Sequence, residues 1–124
     1  QGWPGWFNYS PTLTGWSVTP PTYIYRFAPI GRKITLIIAQ QANGTSNATS
    51  VAGSLPVAAA SVSGSNLTLL STGLGVDNGV TLTIPIRVDI VSGNTLFGCY
   101  TNMASGAWTA SGNKRVYFQI DYEF

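Results

Sequence analysis

The chain has 124 residues, of which 8% are charged and 44% hydrophobic, and its formal net charge is +2. That length suits one domain with a core of its own and leaves no room for a second. The basic residues stand apart except for Arg32-Lys33 and Lys114-Arg115, which excludes a continuous cationic track for nucleic acid; the lack of histidine excludes Ser-His-Asp and Cys-His catalysis and Cys/His zinc sites.

Residues 1–22 carry Trp3, Trp6 and Trp16 among Pro4, Pro11, Pro20 and Pro21. Proline blocks helix, so this stretch predicts an extended arm whose indoles lie on the body of the domain or on a neighbouring subunit. From Tyr23 the spacing predicts strands: Tyr23 to Ala28, a Pro29-Ile30-Gly31 turn, then Arg32 to Gln41 with Ile34, Leu36 and Ile38 on one face, together a hairpin. Residues 42–54 are almost all Ala, Asn, Gly, Thr, Ser and Val, which predicts a long exposed loop.

Short strands are expected at Val57 to Val62 and Asn66 to Ser71, followed by a glycine-bearing connection through Gly73, Gly75 and Asp77-Asn78-Gly79. The clearest strand spans Val80 to Ile90, where Val80, Leu82, Ile84, Ile86, Val88 and Ile90 alternate with Thr81, Thr83, Pro85, Arg87 and Asp89. Pro85 removes a donor in mid-strand and so marks an edge or a bulge. A last strand puts Val116, Phe118, Ile120, Tyr122 and Phe124 on one face. No segment has a helical period, and strands of this kind must share a core. The expected fold is therefore all-β, an antiparallel β-sandwich over 23–124 with the arm packed on it.

Few side chains suit proton transfer or metal binding. The lone Cys99 cannot form an internal disulfide and, in the strand-like run Leu96 to Tyr100, reads as a buried inert thiol. Asp121 and Glu123 originate roughly 7 Å apart on one strand, a separation that inverting glycosidases use. Every acidic pair at this spacing does the same, and the sequence shows no apolar pocket beside it, so a solvated or ion-paired face is expected, with Arg87 or Arg115 as partners. Asp77 reads as a turn residue rather than a calcium ligand, and the two basic pairs read as gatekeepers beside hydrophobic runs. No catalytic residue, metal or cofactor is expected. The low charge favours self-association, because few ions need desolvating at an interface.

Trp108 follows the loop-like stretch 101–106, and its ring either fills the core or lines an exposed groove. Tyr100, Asn102 and Trp108 are accordingly the expected ligand contacts.

Three stretches resemble the C-terminal domains of bacteriophage tail fibres, tailspikes and related minor structural proteins. These are Trp6-Phe7-Asn8-Tyr9-Ser10-Pro11-Thr12-Leu13-Thr14-Gly15; Tyr25-Arg26 through Ile30-Gly31-Arg32-Lys33-Ile34-Thr35-Leu36 to Gly53-Ser54-Leu55-Pro56-Val57-Ala58-Ala59; and Trp108 followed by Val116-Tyr117-Phe118-Gln119-Ile120-Asp121-Tyr122-Glu123-Phe124. Together they span nearly the whole chain, with residues 62–103 matching by strand character alone. The resemblance implies a jelly-roll-like sandwich at the tip of a phage fibre, a homotrimer joined to an upstream fibre body in the extracellular virion. It assigns no receptor and carries over no binding residue. A start at Gln1 without methionine fits the C-terminal piece of a longer chain.

The expected function is recognition of a bacterial surface polysaccharide or another envelope receptor, without enzymatic activity and without membrane insertion. Two alternatives stay open: a structural trimerisation module of the fibre, and a secreted carbohydrate-binding module.

Overall fold

A computed structural model describes residues 5–61 and 68–124, and every regular element within them is a strand. The arm supplies three short ones, β1 (Phe7–Asn8), β2 (Leu13–Thr14) and β3 (Trp16–Val18). β4 (Tyr23–Ile30) and β5 (Lys33–Gln40) form a hairpin, followed by β6 (Gly44–Ser46), β7 (Val51–Ser54) and β8 (Thr68–Asp77). The chain then runs through β9 (Val80–Thr81), β10 (Ile86–Val91), β11 (Leu96–Tyr100) and β12 (Asn113–Glu123).

All pairings are antiparallel, and the sheet follows the order β1-β4-β5-β12-β8-β10-β11-β7-β2, with β3 and β6 beside the start of β12 and β9 beside β8. Both ends of this path are segments of one arm, so the sheet curls until residues 7–14 bridge its two edges. An unpaired edge is a template for aggregation, and lacing the edges with the arm covers it. Within the sheet, β8, β10 and β11 are successive neighbours and β12 returns beside β8, a Greek-key arrangement.

The core follows from the period of two. Ile34, Leu36 and Ile38 of β5 stand directly opposite Tyr122, Ile120 and Phe118 of β12, and all six are buried. Ile86, Val88 and Ile90 of β10, Phe97 and Cys99 of β11, Val51 of β7 and the indoles of Trp16 and Trp108 complete the same cluster. Phe97 and Phe118 meet edge to face at 5.1 Å.

Several expectations need correction. The 23–41 hairpin holds, but β4 runs on to Ile30 and the connection is Gly31-Arg32, with Gly31 at φ 60°. Residues 42–54 are not one long exposed loop: 42–43 and 47–50 connect strands, but Gly44, Ser46, Val51 and Gly53 are buried within β6 and β7. At Gly53 a Cβ would collide with the ring of Phe97, so its glycine belongs to packing rather than to a turn.

The same reason removes the predicted connection at Gly73 and Gly75, which lie inside β8. A Cβ on Gly73 would strike the Tyr117 carbonyl and Phe118, and one on Gly75 would strike Ile86. Residues 57–61 form no strand, and Val62, Asn66 and Leu67 lie outside the described residues. The turn at Asn78-Gly79 is real, with φ of 49° and 78°, the positive pair that a tight hairpin between β8 and β9 requires.

The long strand expected over Val80 to Ile90 breaks at residues 82–85 around Pro85. Only Ile86, Val88 and Ile90 reach the core as strand residues, while Val80 and Ile84 face solvent. Trp16 docks on the body with its Nε1 donating to the Lys114 carbonyl at 3.1 Å, and Trp3 lies outside the described residues. Lys114 is no gatekeeper, since it points inward and is fully buried.

Candidate functional site

The three residues expected to contact a ligand are neighbours in the fold, but Trp108 Nε1 and Asn102 Oδ1 are committed to the fold itself. Trp108 is 2% exposed and its Nε1 donates to the Cys99 carbonyl at 2.9 Å, so the expected exposed groove wall is instead a core indole. Asn102 accepts the backbone N–H groups of Ala104 and Gly106 on one oxygen at 2.9 and 3.0 Å, folding its own loop. Tyr100 lies half-buried with the Arg87 guanidinium 5.3 Å from its ring centre. Arg87 in turn pairs with Asp89 at 3.0 Å and donates to Ser105 Oγ at 2.9 Å, which pins the loop on β10. A hydrophobic ring at the end of a loop serves to anchor it when its N–H finds a carbonyl inside, and that partner is invisible in sequence.

Asp77, Asp89 and Asp121 are engaged as well. Asp121 pairs with Lys33 at 3.4 Å, not with Arg87 or Arg115. The sequence shows no pocket near Asp121 and Glu123, whereas the structure places both on a cavity of about 230 Å³ with Ala59, Ala60, Leu69 and Tyr122. Asp77 accepts from the backbone N–H of Thr109 at 3.1 Å and from its hydroxyl at 3.1 Å. Among the described residues no three His, Cys, Asp or Glu side chains stand together as metal ligands. Cys99 is buried beside Asp89, and burial pushes its thiol well above the ordinary range.

A different site emerges where the arm meets the start of β4. β1 pairs with β4 through Asn8 and Arg26, and Tyr9 continues the ladder by donating its N–H to the Tyr25 carbonyl at 3.2 Å. Past Tyr9 the arm turns away towards β7, and the separation opens a groove of about 370 Å³ lined by Asn8, Tyr9, Ser10, Tyr23, Tyr25 and Arg26. A smaller recess of about 150 Å³ continues it past Ser10, Pro11 and Thr19.

Tyr23 and Tyr25 are two apart on β4, so their rings point the same way and stack at 4.3 Å with an interplanar angle of 10°. Tyr25 is buried, with its hydroxyl accepting from Gln40 Nε2 at 3.1 Å, and burial raises its pKa. Tyr23 is 53% exposed, so one face of its ring is braced on Tyr25 and the rest meets solvent. Across the groove Tyr9 is fixed by an edge-to-face contact with Phe27 at 5.9 Å and by its hydroxyl donating to the Ser54 carbonyl at 3.3 Å. Desolvation also pushes the Tyr9 phenol well above its usual range.

The rim is polar and carries no acid. Arg26 Nε donates to Asn8 Oδ1 at 3.1 Å, beside the hydroxyl-bearing Ser10. A braced aromatic plane with a neutral amide, a hydroxyl and one guanidinium offers stacking and hydrogen bonds to a polyhydroxylated ring. The sequence held one sign of this site, the Tyr-x-Tyr spacing at the mouth of a strand. The opposing wall depends on where the arm leaves the sheet.

Comparison with protein-family models, with curated proteins and with solved structures finds no match to this chain.

Proposed function

We propose that this domain is the receptor-binding tip of a bacteriophage tail fibre or tailspike, which holds a glycan of the bacterial surface without transforming it. The observation that carries the binding part is the braced Tyr23 ring, half exposed over a rigid groove with an uncharged amide and hydroxyl at its rim. The placing in a phage fibre rests on the resemblance carried by residues 6–15, 25–59 and 108–124. In this reading the Greek-key sheet is part of a jelly-roll sandwich, the domain is a homotrimer on an upstream fibre body, and the virion is its location. Three shallow sites on one rigid tip reach useful avidity through effective concentration, so no deep pocket is needed.

Binding of the intact domain to a glycan array and to whole bacteria tests the reading. Retention by some host surface, lost on Tyr23→Ala while the fold survives, is the expected result; silence across glycans and hosts contradicts it. Sedimentation at micromolar concentration tests the assembly, since a trimer fits the fibre and a monomer fits a secreted carbohydrate-binding module.

One observation favours a second reading, an assembly module that sets trimer register. Trp6 and Phe7 are each 47% exposed at the start of the arm, although Phe7 stacks on Phe27 at 5.5 Å. Exposed aromatic pairs of this kind are typical interface anchors. Removing the domain from the full fibre separates the two, because loss of an assembly module abolishes trimers and loss of a tip abolishes adsorption alone.

A further inference from the structure

Among the described residues no acidic side chain pairs with Arg115. Of the four acids in the sequence, Asp121 is held by Lys33, Asp89 by Arg87, and Asp77 by Thr109, while Glu123 lies eight residues further along β12. Among the described residues, the only acceptor for the Arg115 side chain is the Gln41 carbonyl, which takes one Nη1 hydrogen bond at 2.9 Å. Among the described residues Arg115 Nε is buried and meets no acceptor, as is also the case for Arg87 Nε. Buried donors of this kind are rare in folded proteins and ask for an explanation.

The surroundings form a groove of about 360 Å³ lined by Gln40, Gln41, Leu74, Arg115 and Tyr117. It opens where β12 changes partner, pairing with β6 up to Lys114 and with β5 from Tyr117 onward. In the gap the Gln40 side chain substitutes for a strand, its Oε1 accepting the Val116 N–H at 2.9 Å. Arg115 and Tyr117, two apart, share the outer face of β12, and Tyr117 stands directly across from Leu74. Tyr117 is 51% exposed, an apolar plane next to an anchored guanidinium.

We infer that this groove is a second binding site, for an acidic sugar whose carboxylate pairs with the Nη groups of Arg115 and whose ring lies on Tyr117. The guanidinium fork matches a carboxylate in plane, and the Gln41 contact already fixes its orientation. That the ligand is a saccharide rests on the proposed function; that it is anionic rests on Arg115 alone. Uronic and sialic acid residues share the required chemistry.

The test uses the intact domain with trigalacturonate, α2,8-linked trisialic acid and neutral maltotriose, read by calorimetry and by amide chemical shifts. At least one acidic probe is expected to shift the Gln41, Arg115 and Tyr117 amides. Arg115→Gln weakens that binding at least tenfold, Arg115→Lys recovers only part of it, and Tyr23→Ala leaves it unchanged. The inference is overturned if neither acidic probe binds more tightly than maltotriose, if R115Q binds as wild type, or if free sulfate displaces the sugar at equal concentration. Acidic and neutral probes binding alike at the Tyr23 groove would overturn this site and leave the proposed function standing, whereas no saccharide binding anywhere in the domain would overturn both.

Discussion

Lys114 Nζ stands 5.4 Å from the centre of the Trp108 ring and donates to the Ala48 carbonyl at 2.8 Å, a fully buried ammonium over a buried indole. Burial holds the Lys114 pKa below its ordinary value, with Asp77 opposing the shift in part. In the fold this group binds its proton less readily than in the unfolded chain. Its penalty is therefore fully present below the folded value and is relieved as pH rises from there towards the unfolded 10.5. Lys114→Met, of similar length, is expected to stay within about 1.5 kcal/mol of wild type, and Lys114→Ala to lose about 2 to 4 through the cavity. Urea unfolding at pH 7 and pH 10 checks this: the difference between Met variant and wild type should move in favour of wild type at the higher pH.

The tyrosines act in the opposite direction. Desolvation raises the phenols of Tyr9 and Tyr25 and pushes Tyr122, whose hydroxyl donates to the Val57 carbonyl at 2.7 Å, up to about 12. Their contribution is complete below the unfolded value of 10.0 and is lost as pH climbs through the folded values. Tyrosinate absorbance should thus rise in two phases, the later one coinciding with loss of structure. A single early phase with the fold intact would contradict the burial of these rings.

Inside β8, Gly73→Ala should destabilise by about 2 to 3 kcal/mol, because the new methyl meets the Tyr117 carbonyl, a backbone atom that cannot swing aside. Gly31→Ala, with open space around it and only a positive φ to resist it, should cost about 1 kcal/mol. Thermal melts of the two variants rank them directly.

Cys99 should ignore a water-soluble disulfide reagent in the native domain and react fully after unfolding, since its thiol is 2% exposed and held protonated. Rapid native labelling would show that β11 opens readily.

The strand alternation of β5, β10 and β12 was legible because each buries one face, and period two is a direct image of that burial. Gly53, Gly73 and Gly75 misled for a physical reason: a glycine that yields to a neighbour's side chain has the same letter as a glycine that turns the chain. Val80, Leu82 and Ile84 alternate as well as any core strand, yet Val80 belongs to the short hairpin of β9 with β8 and the chain leaves strand form at 82–85 around Pro85, so Val80 and Ile84 stay exposed. For Trp108 the sequence left core and groove both open, since the Cys99 carbonyl that satisfies it inside comes from an adjacent strand. The Tyr23 groove stayed hidden because one wall is the arm, whose path over two sheet edges is a tertiary fact.

The most direct test is an amide chemical-shift map of the intact domain titrated with neutral oligosaccharide fragments of bacterial envelopes. Shifts gathered at Asn8 to Ser10 and Tyr23 to Arg26, and absent in Tyr23→Ala, are the predicted result. Shifts gathered instead on the loop from Tyr100 to Trp108, or no shifts with any fragment, would contradict it.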